Sequence, residues 1–259
     1  MLKGLYTAYT GMINEQHRMD TMTNNLANAT TNGFKKEGAT SQSFDRVLAY
    51  KIKDTSEAAN LPRRLGGISL GVKTGENYVD YSGGPFKVTG NTLDMALAGD
   101  GFFTISFTNK AGETSVKYTR DGNFTMTAEG YLVTQDGDFV LNNNGREIRL
   151  DPTQEVTVER SGEIYQNDVY VDTIGITDFE DYNYLERYGE NFFQPVEGAR
   201  TIDPENTTVY SGYLEMANIS VVTEMVNMIA IQRQYEANQK VITTYDSTLD
   251  AAVNQTGRV

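Results

Sequence analysis

The N-terminal segment of the chain spaces its apolar side chains alternately three and four residues apart. The spacing runs without a break over four heptads, with Gln16 and Thr23 as its two polar positions. Such a repeat is typical of a helix that buries one stripe along a partner helix. The apolar positions are Leu2, Leu5, Tyr9, Met12, Met19 and Leu26. Helix-stopping residues follow over 28–33 and end in a glycine that can form a left-handed turn.

The C-terminal segment carries a similar repeat and a second apolar stripe on a neighbouring face. The seam residues that we predict there are Val222, Met225, Met228, Ile229, Tyr235, Ile242 and Leu249. A helix that is apolar on two faces needs more than one neighbour. We therefore predict long coiled-coil-forming helices at both ends, which pair with each other and with other copies or other proteins.

Between these segments the period changes from helical to alternating. Four glycines that mark turns lie seven or eight residues apart, and they are Gly122, Gly130, Gly137 and Gly145. This rhythm is typical of an antiparallel meander. Asp121-Gly122 also predicts a tight hairpin between residues 116–119 and 124–127. The predicted fold class is α+β, with the terminal helices bracketing a central antiparallel all-β domain.

Charge changes at the same places as the period. Of the net charge of −13, residues 36–210 hold −12, and both ends are nearly neutral. We predict an N-terminal helix within 1–35, an extended linker over 36–75, a β domain over 76–210 and a C-terminal helix within 211–259. The first and last segments are expected to form one helical domain.

Composition argues against several classes of function. The acidic charge would repel a phosphate backbone, so we expect no nucleic-acid partner. The chain has no cysteine and one histidine, His17, which removes thiolate nucleophiles and most histidine-based sites. Asp136-Gly137-Asp138 predicts a turn rather than a calcium loop, since no glutamate stands at the twelfth position. We expect no catalytic residue, cofactor or metal, and neither a secretory signal nor membrane insertion.

A string at the end of the first helical segment carries a family resemblance. Its defining residues are Asn24, Asn25, Leu26, Ala27, Asn28, Thr31, Gly33, Phe34 and Lys35. The string resembles the signature of bacterial flagellar rod and hook proteins, and every defining position is filled. Residues 100–105, 118–124 and 130–133 are similar to that family's β core, and residues 214–222 and 225–236 are similar to its C-terminal helix.

This resemblance implies a structural subunit of the flagellar basal-body rod. Such a subunit is exported through the flagellar secretion apparatus and polymerises helically with copies of itself and with other rod and hook subunits. The product is a hollow drive shaft that transmits torque to the hook. Leu61-Pro62 and residues 65–72 are most similar to distal-rod members, although Arg64 stands where a glycine is expected. A proximal-rod paralogue is the alternative within the family.

Two other classes remain open from the residues alone. A wall-associated hydrolase needs two placed carboxylates, and none of the 35 acidic residues stands out as a pair. A carbohydrate-binding β module could use the 16 Tyr and 11 Phe. Heptad repeats at both ends favour assembly over either alternative. The prediction is a structural protein and not an enzyme.

Overall fold

The structure is a computed structural model that describes residues 2–44, 47–51, 63–110, 112–189, 191–204 and 206–254. The helices are α1 (Leu2–Ala27) and α2 (Val221–Asn254), with a short 3-10 helix at Tyr182–Tyr184. The strands are β1 (Glu37–Ser43), β2 (Val47–Lys51), β3 (Arg63–Ile68), β4 (Val72–Val79), β5 (Phe86–Val88), β6 (Met95–Ala98), β7 (Phe102–Thr108), β8 (Thr114–Thr119), β9 (Phe124–Met126), β10 (Leu132–Thr134), β11 (Phe139–Val140), β12 (Val156–Val158), β13 (Glu163–Gln166), β14 (Val169–Thr173), β15 (Ile176–Phe179), β16 (Leu185–Tyr188), β17 (Phe192–Pro195), β18 (Thr201–Ile202), β19 (Thr208–Ser211) and β20 (Tyr213–Glu215). This order confirms the α+β prediction of an N-terminal helix, a central antiparallel β region and a C-terminal helix.

The chain divides into two compact units. The helical unit contains residues 1–27, 37–80 and 220–259, and the β unit contains residues 28–36 and 81–219. Most of the predicted linker therefore belongs to the helical unit, where it supplies β1 to β4. Leu61-Pro62 lies outside the described residues.

In the helical unit, α1 packs against α2 and also against a two-stranded sheet. That sheet pairs β1 with β4 in antiparallel register, from Glu37 opposite Val79 to Ser43 opposite Val72. Strands β2 and β3 form a separate antiparallel pair. Helix α1 thus packs against both a helix and a sheet, so different faces of α1 must fit each of them.

The β unit is built from antiparallel sheets around one apolar core. Its largest sheet follows the order β16-β17-β8-β7-β11-β10-β9, with β15 joined to β7 and β18 joined to β15. Smaller sheets pair β12-β13-β14, β19-β6 and β20-β5. The buried cluster between them contains Met95, Leu97, Phe103, Phe124, Leu132, Val140, Ile148, Leu150, Val156, Ile164, Ile174 and Val209. Strand pairing and this core make the β unit compact in itself.

Three of the four predicted turn glycines lie in turns, and the fourth has another role. Gly130, Gly137 and Gly145 have positive φ values and donate to carbonyls three residues earlier. The hairpin predicted at Gly122 is wrong, because β8 pairs with β7 and β17 while β9 pairs with β10. Gly122 instead lets the backbone of Met95 approach, and a β-carbon there would collide with the Met95 carbonyl.

Candidate assembly site

Helix α1 meets α2 along small residues. A β-carbon on Gly4 would collide with the Tyr245 hydroxyl, and one on Gly11 would lie 3.0 Å from Asn238 Nδ2. Ala8, between them, is buried. Because these residues carry little or no side chain, the two helices approach closely here.

The predicted seam residues of α1 lie beside this contact. The half-buried members are Leu5, Met12, Met19 and Leu26. Tyr9 is exposed, and with Tyr6 and Ile13 it forms an uncovered apolar row that we name the open stripe of α1. The side chain of Leu2 lies outside the described residues. The seam as an interface between subunits stays a prediction.

A third face of α1 is polar and binds the β1–β4 sheet. Thr7 Oγ1 donates to the Leu70 carbonyl at 3.2 Å, and Asn14 Nδ2 donates to Ser41 Oγ at 3.0 Å. Apolar spacing alone does not predict this face, because its residues are polar. The signal was present, since threonine and asparagine recur there at heptad spacing. The face comprises Thr7, Thr10, Asn14, Thr21 and Asn25.

Helix α2 turns one stripe toward α1 and leaves another open. The stripe toward α1 has a strict three-four spacing and consists of Met228, Ile231, Tyr235, Asn238, Ile242 and Tyr245. Three of these are predicted seam residues, whereas the buried Ile231 was missed. The predicted seam residue Leu249 is exposed.

The other stripe of α2 is apolar and exposed. It consists of Val222, Met225, Val226 and Ile229, and we name it the open stripe of α2. Val222 is 73% exposed and Val226 is 61% exposed. At ~100° per residue, this stripe lies roughly 160° from the stripe that faces α1. Exposed apolar patches of this kind mark interaction surfaces.

The motif begins at the end of α1, where its second residue, Asn25, is fully buried. Its Nδ2 donates to the Glu37 carbonyl at 2.7 Å, and its Oδ1 accepts from the Glu37 amide at 2.9 Å. The side chain thereby satisfies both backbone groups of one residue at the start of β1. Its motif neighbours Asn24 and Ala27 are exposed.

The middle of the motif is a turn. The Thr31 amide donates to the Asn28 carbonyl at 3.1 Å, and Thr31 Oγ1 donates to Asn28 Oδ1 at 3.2 Å. Gly33 follows with a φ of +67°, a conformation that other residues rarely adopt. A β-carbon on Gly33 would also collide with the backbone of Arg120. Only glycine fits at this position.

The end of the motif is buried in the β unit. Arg187 lies over the Phe34 ring, 4.2 Å from its centre, and donates to the Lys35 carbonyl at 2.7 Å. The Lys35 ammonium is 1% exposed and lies 2.6 Å from Glu215 Oε1. No local sequence pattern pairs Glu215 with Lys35, because 180 positions separate the two residues.

A titratable group borders this buried segment. Burial raises the pKa of Asp121 to about 6, although hydrogen bonds from the Asn123 amide and the Asn191 side chain favour the carboxylate. The charges of Asp136 and Asp94 raise the pKa further. Asn191 Nδ2 also donates to the Asn32 carbonyl at 2.6 Å. Asn191 therefore joins the motif to a carboxyl group that titrates near neutral pH.

The described part of the chain offers little for other chemistry. Among these residues no three His, Asp or Glu side chains are grouped as metal ligands. Asp138 follows the turn at Gly137, where its amide donates to Thr134 Oγ1 at 3.2 Å. Neither α1 nor α2 has the length and hydropathy that a membrane crossing requires. The prominent features are the two open stripes and the buried motif.

Open apolar stripes on paired helices are typical of proteins that associate with partners. Three family models match the chain. They are described as flagella basal body rod protein over residues 5–35, flagellar hook protein FlgE/F/G D1 domain over residues 96–166, and flagellar basal body rod FlgEFG protein C-terminal over residues 210–255.

Full-length relatives agree with these models. The flagellar basal-body rod protein FlgG of Bacillus subtilis (strain 168) is 35% identical, covering 98% of this chain and 99% of that protein. The rod protein FlgF of Caulobacter vibrioides is 30% identical, covering 100% of both chains. The flagellar hook-basal body complex protein FlhO of Bacillus subtilis is 29% identical, also over 100% of both. The chain belongs to the flagellar basal-body rod protein family, in which it is FlgG-like. It is a structural subunit of the basal-body rod.

Proposed function

We propose that this protein polymerises helically, with copies of itself and with other rod and hook subunits, into the hollow drive shaft that transmits torque to the hook. Within the family we propose the distal-rod, FlgG-type role rather than that of a proximal-rod paralogue. The observation that carries the proposal is the open stripe of α2. Its residues Val222, Met225, Val226 and Ile229 remain exposed although α2 already packs against α1.

Two different open stripes support a filament rather than a closed dimer. The stripe on α1 is built from Tyr6, Tyr9 and Ile13, and the stripe on α2 is built from branched aliphatic side chains and a methionine. Contact between unlike surfaces on successive copies is heterologous, and heterologous contacts that do not close give helical filaments. In this arrangement the stripes form coiled-coil seams between subunits.

The proposal extends to partners and to chemistry. The resemblance to rod and hook proteins supports assembly with those subunits and passage through the flagellar export apparatus. The role is assembly without catalysis, which the structural character of the family supports. The hydrolase and carbohydrate-module alternatives have no comparable support, because the relatives with full coverage are rod and hook-basal body proteins.

A charge in the open stripe tests the proposal. We expect Val226→Asp to abolish swimming in a strain that lacks the natural gene, and rods should be missing from its basal bodies by electron microscopy. Val226 is exposed in the subunit, so the melting temperature of the purified variant should stay unchanged. Burying an unpaired carboxylate in a subunit interface costs several kcal/mol.

The matched control is Gln234→Asp, which places the same charge at an exposed position outside both stripes of α2. This variant should swim normally. Normal swimming of the Val226→Asp strain would show that the open stripe is not buried in the rod and would overturn the proposal.

A further inference from the structure

Glu215 lies at the centre of a buried ionic cluster in the β unit. Its Oε1 accepts from the Lys35 ammonium at 2.6 Å and from the Gly84 amide at 2.9 Å. Its Oε2 accepts from Arg120 Nη1 at 3.3 Å. The side chains of Lys35, Arg120 and Glu215 are each at most 5% exposed. We name Lys35, Ser82, Arg120, Glu215 and Asn218 the junction cluster.

The cluster buries two cations and one carboxylate. Backbone carbonyls accept further hydrogen bonds from both cations, since Lys35 Nζ donates to Ser82 at 2.8 Å and Arg120 Nη2 donates to Gly99 at 2.7 Å. Those dipoles offset part of the excess positive charge. Glu215 is nevertheless a charged partner that both cations share, so replacing it with a neutral side chain removes a carboxylate from two buried positive charges.

The cluster also gathers the segments through which the chain enters and leaves the β unit. The β unit contains two stretches of chain, residues 28–36 and residues 81–219. The chain enters and leaves the β unit at the ends of these stretches. The Lys36 amide donates to Asn218 Oδ1 at 2.7 Å, and Asn218 Nδ2 donates to the Ser82 carbonyl at 3.2 Å. These bonds tie the two stretches to each other.

The backbone of Glu215 strengthens the same connection. Its carbonyl accepts from the Gly33 amide at 2.7 Å. The next residue, Met216, donates its amide to the Pro85 carbonyl at 2.9 Å. Residues 32–36, 82–85 and 215–218 are therefore cross-connected by side chain and backbone alike, while the apolar core of the β unit is built from other residues.

We propose that Glu215 is a positioning residue for assembly. Its carboxylate holds together, within the β unit, the three segments that lead to α1, to β1–β4 and to α2. The link to assembly rests on the proposed function, whereas the clamping of the segments is a property of the single subunit.

Hydrogen exchange on the purified full chain tests the clamp. In Glu215→Gln we expect the amides of Gly33 and Lys36 to exchange on the order of 100-fold faster, as loss of one partner of a buried charge pair implies. The amides of Ile105 and Val140, in paired strands of the largest sheet, should keep their protection. The matched control is Glu180→Gln, because Glu180 and Arg200 form an exposed pair at 3.7 Å, and it should change neither set.

Two further variants keep the test decisive if Glu215→Gln does not fold. Lys35→Met removes one of the two buried cations and leaves Arg120 paired with Glu215. It should therefore accelerate exchange of the Gly33 amide less than Glu215→Gln does. Asn218→Ala removes the acceptor of the Lys36 amide without unpairing a charge, and it should accelerate exchange at Lys36 while sparing Ile105.

Three results would overturn the proposal. The first is equal acceleration of exchange at Gly33 and Ile105 in Glu215→Gln, which would make Glu215 an ordinary contributor to global stability. The second is a larger acceleration at Gly33 in Lys35→Met than in Glu215→Gln where both variants fold. The third is unchanged exchange at Lys36 in Asn218→Ala. None of these measurements needs a rod. Failure of the clamp is therefore distinguishable from failure of the assembly proposal, which Val226→Asp tests.

Discussion

The ring and hydroxyl of Tyr245 on α2 lie against Gly4 on α1, at the place where any other residue would carry a β-carbon. Seven residues later, Gly11 meets Asn238 in the same way. The two helices thus approach closely at Gly4 and Gly11 because glycine has no β-carbon. A chain that replaced these glycines would keep its apolar repeat and lose the close contact.

The first prediction concerns this contact. Glycine to alanine inside a helix normally stabilises it by about 1 kcal/mol. In Gly4→Ala the new methyl group would meet Tyr245, so we expect the free energy of unfolding to fall by about 1–3 kcal/mol. In a Tyr245→Ala background the same change should be stabilising. Denaturant unfolding followed by far-UV circular dichroism measures both, and an equal effect in the two backgrounds would contradict the contact.

The second prediction concerns Asn25. Asn25→Ala removes two hydrogen bonds to the Glu37 backbone, and we expect it to lower the free energy of unfolding by about 2–4 kcal/mol because two partly buried polar groups lose these bonds. Gln16→Ala, at an exposed position on the same helix, should change it by less than about 0.5 kcal/mol. Similar free energies of unfolding for the two variants in urea would show that the Asn25 hydrogen bonds do not contribute to stability.

The third prediction separates backbone strain from collision. Gly33 and Gly145 have φ values of +67° and +72°, but a β-carbon would collide with Arg120 at the first and meet open space at the second. We expect Gly145→Ala to cost about 1–2 kcal/mol, the strain of a left-handed conformation. Gly33→Ala should cost about 1–3 kcal/mol more. Chemical denaturation of both variants measures the difference between their free energies of unfolding. Equal losses of stability would mean that the backbone of Arg120 moves aside at no cost.

The fourth prediction concerns pH. The pKa of Asp121 is raised from 3.8 to about 6 in the folded chain, chiefly by burial. The folded state therefore binds the proton more tightly, and the contribution of Asp121 to stability is present below about pH 4 and is lost as the pH rises to about 6.

Asp121→Asn should remove this loss. We expect the variant to gain on the order of 1–3 kcal/mol relative to the natural chain between about pH 4 and pH 6, and to keep that gain above pH 6. Thermal unfolding across this range measures the difference. Glu180→Gln, at an exposed carboxylate, serves as control and should follow the natural chain. A parallel pH profile for Asp121→Asn would exclude a raised pKa at this position.

The features that follow from local order could be predicted from the sequence. The repeat from Leu2 to Leu26 and the stop after it place the end of α1 at Ala27, because helical period and helix-breaking residues act over a few positions. The turns at Gly130, Gly137 and Gly145 follow from local conformational freedom. The family motif is likewise a continuous string.

The tertiary structure alone decided which distant residues meet. Lys35 and Glu215 are separated by 180 positions, and the sequence shows two charges without showing that they share a buried site. The hairpin predicted at Gly122 was wrong for the same reason, since β8 pairs with β7 and β17, which are not its neighbour β9. The polar face of α1 was invisible to apolar spacing because its buried residues Thr10, Asn14 and Asn25 are polar and form hydrogen bonds to strands β1 and β4. Local propensity selects helices, strands and turns, whereas burial pairs charges and hydrogen-bonding groups across the chain, and only the folded chain contains that information.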